Sequence, residues 1–155
     1  MHPTGRHDPS WSEVAWLLAP ARSFWLGTTN PDGSPHAAPV WGVVVEDHFY
    51  IYSERRTQKA RNLLRDWRAV VHLESADNVV IVHGRFEDTG RPGECAPVVQ
   101  AFGSKYTEPG DGQYLPSTDE SFDLLYRLCP RRALLWSLPD YDGTQRRWAG
   151  SPESA

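Results

Sequence analysis

The sequence is short of cysteine, of long apolar runs and of any strong charge excess, and each shortage removes a class of protein. Only Cys95 and Cys129 occur, far apart and without a CxxC pairing, so a disulfide framework has no support. Free thiols in a reduced, cytoplasmic setting are expected instead. The longest apolar run, "APVWGVVV", falls far short of a bilayer span, and no membrane partner is expected. The opening "MHPTGRHDPS" is polar and lacks the apolar segment of a secretory signal. Sixteen Lys and Arg against twenty Asp and Glu leave a net charge of −4, which argues against a nucleic-acid coat with a broad basic face. No HExxH or compact His-carboxylate cluster points to a metal, and "GTTNPDG" lacks the lysine of a phosphate loop. Neither cysteine has a histidine near it in sequence, so a thiol nucleophile has no specific support.

What is present fits one domain. A chain of 155 residues can bury a sizeable core. Seven tryptophans supply a thick aromatic interior, an interface or flat surfaces for stacking a ring. Residues 1–10 and 149–155 are expected as flexible ends around a domain over 11–148. Ser12 is placed to cap a short helix over Glu13 to Ala19. "SFWLGTT" has strand composition, "NPDG" a turn, and "PHAAPVWGVVVE" the length of a long strand in which Pro39 predicts a bulge or an edge. "FYIYS" follows. From Thr57 the period changes, with apolar residues at Ala60, Leu63, Leu64 and Trp67 in helical spacing. "RAVVHLES" and "NVVIVHGRFED" then predict a hairpin across "ADN". Residues 91–122 read as helical or irregular, "LLYRLCPRRALLWS" as one or two strands, and "QRRW" as a last short one. About six strands, with a helix between the third and fourth, predict a mainly β barrel with α decorations. An all-β sandwich is the alternative.

The charge is unevenly spread. Six of the sixteen cationic residues (Arg55, Arg56, Lys59, Arg61, Arg65 and Arg68) fall within fourteen positions, offset inside that window by Asp66 alone. Thr57 suits an N-cap, which leaves free N–H groups and a partial positive charge at the helix start. With Ser53, Arg55, Arg56 and Lys59 around it, that point reads as a phosphate site. Arg61, Arg65 and Arg68 share another face and suit a longer anionic tail. The same arginines read equally as a solvated face, with Glu54 and Asp66 pairing two of them.

Taken together, "WLGTTNPDGSPHAAPVWGVVVEDHFYIYSERRTQKARNLLRDWRAVVHLESADNVVIVHGRFED" resembles the pyridoxamine 5′-phosphate oxidase-like superfamily of flavin-binding split barrels. More narrowly it is similar to the actinobacterial branch whose members often use the deazaflavin coenzyme F420. The resemblance implies a six-stranded Greek-key split β-barrel that forms a homodimer, with cofactor sites across the subunit interface. It implies that Pro39, Val40, Trp41 and Gly42 lie beside the ring, and that Tyr52, Ser53, Thr57, Gln58 and Lys59 hold the phosphate. Asn78 and Val79 would approach from the other subunit, and Arg147 and Trp148 would close over the cofactor. Gln58 stands where many relatives carry arginine, a loss that Arg55 or Arg56 would compensate. "QRRWAG" replaces the C-terminal Arg-x-His of the true oxidases, which argues against pyridoxamine phosphate oxidation.

The implied activity is an oxidoreductase moving a hydride between an F420 ring, or FMN as the alternative, and a small organic acceptor. A carrier that holds the cofactor without turnover is the other reading. F420 carries an oligoglutamate tail that outward arginines would pair with; FMN does not. The cofactor supplies the chemistry, so no catalytic acid or base is assigned. His36 is a weak candidate for polarising substrate, while His72 and His83 read as strand histidines. Lys105 and Tyr106 suit the pocket mouth, though a plain surface role is favoured for each. Trp25, Trp67 and Trp136 read as core or interface.

Overall fold

The computed structural model describes residues 7–116 and 124–151; the remaining parts of the expected flexible ends, and of the irregular stretch over 91–122, lie outside them. The first helix, α1 (Trp11–Leu18), starts where the chain can satisfy its own end. Ser10 accepts from the Glu13 amide, and the Glu13 side chain accepts from the Ser10 amide, a reciprocal capping box. The cap is therefore Ser10 and not Ser12. The Ser12 hydroxyl turns instead to the Asp47 carboxylate. Val14, Ala15 and Leu18 form the buried stripe of α1.

The strands follow as β1 (Phe24–Thr29), β2 (Pro35–Val40), β3 (Val43–Val45) and β4 (His48–Ser53). Helix α2 (Gln58–Arg65) separates them from β5 (Arg68–Leu73) and β6 (Asn78–Gly90). Helix α3 (Ala96–Lys105), β7 (Leu124–Ser137), the short α4 (Tyr141–Thr144) and β8 (Arg146–Ala149) complete the described chain. Every pairing is antiparallel, in the order β2-β1-β5-β6-β7-β4-β3, with β8 on β7. The two ends of that order, β2 and β3, are one run of chain broken only at Trp41 and Gly42. Before the break it pairs with β1, and after it with β4, so the sheet is brought round on itself. Eight strands are described where about six were expected, because "PHAAPVWGVVVE" is divided at this break and β8 is counted as well. Pro39, which has no N–H to give, sits on β2 with β1 as its only strand neighbour among the described residues, an edge position.

Local chemistry sets the turns. Gly33 adopts φ +85° in the expected "NPDG" turn, where its amide donates to the Asn30 carbonyl at 2.9 Å. Between β3 and β4, Glu46 and Asp47 both take left-handed φ, 50° and 62°, as a two-residue hairpin requires. The Trp11 indole donates to the Asp47 carbonyl at 2.7 Å, and with Ser12 it ties that turn to α1. Alternation places Phe24, Leu26, Phe49, Ile51, Val82 and Phe86 inside. Phe24 and Phe49 meet edge to face at 4.8 Å. No described helix is long and apolar enough to cross a membrane.

Gly42 is required by this packing. A Cβ there would lie 2.4 Å from Phe49 Cζ and 3.3 Å from Phe24 Cδ2, and both rings are fully buried. Gly42→Ala should therefore lower stability by about 1–3 kcal/mol, the cost of overpacking a fixed core. The midpoint of urea unfolding measures it, and an unshifted midpoint would show that the rings give way freely.

Candidate functional site

Helix α2 is amphipathic and short, so tertiary anchoring decides where its first turn points. Ala60 and Leu63 bury one face. Asn62, fully buried, donates to Thr28 Oγ1 and to Asn30 Oδ1, both at 3.0 Å, and accepts from Gln58 Nε2 at 2.8 Å. This network fastens α2 to the end of β1. At the start of the helix the Thr57 hydroxyl accepts from the Ala60 amide at 3.3 Å, as its sequence position predicts, and donates to the Glu54 carbonyl at 2.9 Å. The Ser53 hydroxyl lies 2.8 Å from it. The amides of Gln58 and Lys59 have no acceptor among the described residues.

Lys59 is half-buried and has neither a hydrogen bond nor an ion pair among the described residues. Burial draws its pKa below the ordinary lysine value, and the weaker attraction of Glu54 acts the other way. The side chain lines a cavity of about 410 Å³ with Ser23, Pro39, Val40, Trp41 and Tyr52. Five residues that the resemblance assigned to the ring and the phosphate thus share one space. Tyr52 closes it by donating its hydroxyl to the Tyr114 carbonyl, and burial raises its pKa.

The wall formed by Trp41 and Gly42 is held from behind. The Trp41 and Tyr106 rings stack at 4.2 Å with an interplanar angle of 7°. The Arg22 guanidinium lies over both, 5.1 Å from the Trp41 centroid and 5.6 Å from that of Tyr106. Asp111 fixes Arg22 with two hydrogen bonds of 2.7 and 3.0 Å. The Tyr106 hydroxyl accepts from the Gly42 amide at 2.9 Å and donates to the Arg22 carbonyl at 2.7 Å. Lys105 Nζ donates to the Gly42 carbonyl at 2.6 Å, and burial pushes its pKa down to about 8. A surface role for Lys105 and Tyr106 is thus overturned: both brace the strand break, and Tyr106 is buried, its pKa pushed up to about 12 chiefly for that reason. Arg22 and Asp111 were not anticipated. They stand 89 positions apart, and neither carries a local motif.

The basic stretch divides. Arg56 pairs with Glu54 and Arg68 with Asp66, each at 2.7 Å. Arg61 donates to Gln58 Oε1, and Arg65 to the Thr29 carbonyl. Arg55 is exposed and without a partner among the described residues. The solvated-face reading therefore holds for four of these arginines, while Lys59 behaves differently. Asn78 and Val79 lie elsewhere within one chain, lining a cavity of about 710 Å³ with Leu73, Trp136 and Arg146. Arg147 is exposed on β8. Trp148 packs on Trp11, ring centroids 5.1 Å apart, and not on the Lys59 cavity. His36 Nδ1 is buried without a partner, and the residue does not line the Lys59 cavity. His72 Nδ1 meets the Leu73 carbonyl at 2.7 Å.

The family model described as pyridoxamine 5′-phosphate oxidase matches residues 11–126. The chain belongs to this family. Its mainly antiparallel sheet with few helices is the family's split-barrel fold. Solved structures agree. A haem-binding protein from Mycobacterium smegmatis superposes with a TM-score of 0.67 at 21% identity, over 96% of this chain and 61% of that one. The chain thus spans about three-fifths of that protein's length. A conserved hypothetical protein from Mycobacterium tuberculosis gives 0.68 at 24% identity, covering 97% of this chain and 99% of that one. An F420 reductase gives 0.62 at 18% identity, covering 82% and 98%. Identities this low establish the fold alone. No curated protein matches the sequence.

The Arg22–Asp111 pair gives a pH dependence with a definite sign. The guanidinium hydrogen bonds hold the Asp111 carboxyl below its ordinary value. Its stabilising contribution is therefore complete above the unfolded value of about 4 and is lost as pH falls through the lower folded value. Between pH 5 and acid, the melting temperature of Asp111→Asn should fall less steeply than that of the parent. Parallel curves would remove Asp111 from the acid response.

Proposed function

We propose that the Lys59 cavity holds the phosphoryl group and tricyclic ring of a flavin-type redox cofactor, F420 ahead of FMN, and that the protein is an oxidoreductase acting on a small organic molecule. The observation that carries this reading is the Lys59 ammonium, half-buried and unpaired, beside two amides without acceptors at the start of α2. A set made only of donors, with one desolvated cation, fits a phosphoryl group. No carboxylate among the described residues lines this cavity to compete for the lysine.

The residues divide the work. Lys59, with the amides of Gln58 and Lys59, would bind the phosphoryl group. Ser53 and Thr57 hold that turn in place rather than reaching outward, since each other's hydroxyls and the Glu54 carbonyl engage them. Pro39, Val40 and Trp41 supply a flat, largely apolar wall, and the Tyr106–Arg22–Asp111 stack keeps that wall from moving. Such a wall orients a ring and keeps water from one side of it. When bound, the cofactor supplies hydride transfer to or from an organic acceptor.

A homodimer completes the proposal: the Asn78–Val79 cavity of a second copy would face the Lys59 cavity, as the family resemblance implies. For F420 over FMN the support is narrower than the arginine count implied. Arg61, Arg65 and Arg68 are engaged by the protein's own acceptors, which leaves Arg55 and the exposed Arg56–Glu54 pair for a polyanionic tail. Exposed pairs of that kind are weak and exchange readily. The likeness to the deazaflavin branch tips the choice.

Titration with F420 and with FMN, followed by ring fluorescence, tests the reading. Saturable binding to at least one is expected, and Lys59→Ala should weaken it by about 1–3 kcal/mol, the loss of a charged hydrogen bond. No binding to either cofactor would eliminate the proposal. Full binding to Lys59→Ala would move the phosphoryl group elsewhere.

A further inference from the structure

A second cluster of cations lies away from Lys59. In the ladder between β6 and β7, His83 faces Arg132 and Gly84 faces Pro130, so Arg131 has no opposite residue. This is a β-bulge, and its cause is local. Pro130 has no N–H for the ladder. Gly84 lets the strands approach closely at this point, since a Cβ there would lie 2.4 Å from the Cys129 carbonyl oxygen and 3.0 Å from Pro130 Cα.

The bulge has a consequence for charge. Successive side chains of a regular strand point to opposite faces. Arg131 and Arg132 are instead both exposed, and both line one groove of about 700 Å³. His83 from β6 and Arg68 from the start of β5 line the same groove. Its far wall is the chain leaving β8, fixed by the Gly150 amide donating to the Arg131 carbonyl at 2.8 Å. No carboxylate among the described residues lines it. Asp66 engages Arg68, but Arg131 and Arg132 have no side-chain partner among the described residues. The field is felt by a neighbour: His83 is held below the ordinary histidine value, first by burial and then by Arg132. The groove shares no lining residue with the Lys59 cavity.

We propose that this groove is a second anion site that takes a polyphosphate chain. Two exposed guanidinium groups without a carboxylate partner among the described residues, Arg131 and Arg132, share this groove with the Asp66-paired Arg68, and together they call for a ligand with several negative charges in a short length. Guanidinium pairs with phosphoryl oxygens in two-point contacts. The open channel focuses the field on an approaching anion. No Trp, Tyr or Phe among the described residues lines it, and its exposed charges are guanidiniums, so it reads the phosphate chain ahead of a nucleoside. This inference is independent of the cofactor reading.

Calorimetric titration of Lys59→Ala with sodium tripolyphosphate at low salt tests it, because that background silences the other cavity. Saturable binding with one site per chain is expected. Adding Arg131→Ala and Arg132→Ala should weaken it at least about tenfold, since two charge-assisted contacts are removed. ATP should bind within about threefold of tripolyphosphate, since the arginine contacts go to the phosphate chain that both share. Citrate should bind more weakly than either. Absence of saturable binding, unchanged binding after both arginines are replaced, or citrate as strong as tripolyphosphate would each overturn the proposal. Should the combined variant fail to fold, the single replacements, each expected to weaken binding, decide the matter in the same way.

Discussion

The site depends on one ammonium group kept without a partner. Lys59 is half-buried where solvent compensates it only in part, and no carboxylate among the described residues forms an ion pair with it. Such a group persists because the surrounding structure fixes the turn that carries it. Asn62 bonds α2 to Thr28 and Asn30, and Thr57 caps the first turn. A buried amide with three satisfied hydrogen bonds is costly to break, which makes the direction of α2 a property of the fold. Four of the arginines around Lys59 spend their charge on neighbouring acceptors, while Arg55 is exposed without one among the described residues. Lys59 is the cation that lines the cavity.

The second constraint is the break at Trp41 and Gly42. One strand run pairs with β1 before it and with β4 after it, so the same two residues that close the sheet also form a wall of the cavity. That geometry asks for a glycine in contact with Phe49 and Phe24, and for donors and acceptors to satisfy the backbone freed at the break. Tyr106 and Lys105, from the end of α3, supply them. The Arg22–Asp111 pair then presses the aromatic stack into place. Fold closure and site shape rest on the same contacts.

Elements with strong local chemistry were legible in the sequence. The change of period at Thr57, the "NPDG" turn, the strand alternation and the helix cap at Thr57 all appear where the residues place them, although α2 ends at Arg65, short of Trp67, and leaves Leu64 exposed. The sharing of a cavity by Pro39, Val40, Trp41, Tyr52 and Lys59 follows from strand order, which the family resemblance supplied. What could not be read was set by distant partners. The pairing of Arg22 with Asp111 has no local signature, and Tyr106 looked peripheral because nothing near it in sequence shows that it stacks on Trp41. The cap on α1 was misplaced by two residues because Ser10 and Ser12 are chemically equivalent, and only the reciprocal bond with Glu13 separates them. The arginine run invited a single explanation, whereas tertiary acceptors such as the Thr29 carbonyl divide it.

The ionisation of Lys59 itself, followed by NMR of its side-chain ammonium with and without added cofactor, tests most directly whether this group waits for a phosphoryl partner. A pKa below that of an ordinary lysine is expected in the free protein, since burial without a partner disfavours the charged form. A rise is expected when F420 or FMN binds, as the phosphoryl group supplies the missing counter-charge. A Lys59 that titrates like a surface lysine, or one whose pKa is indifferent to the cofactor, would contradict that role.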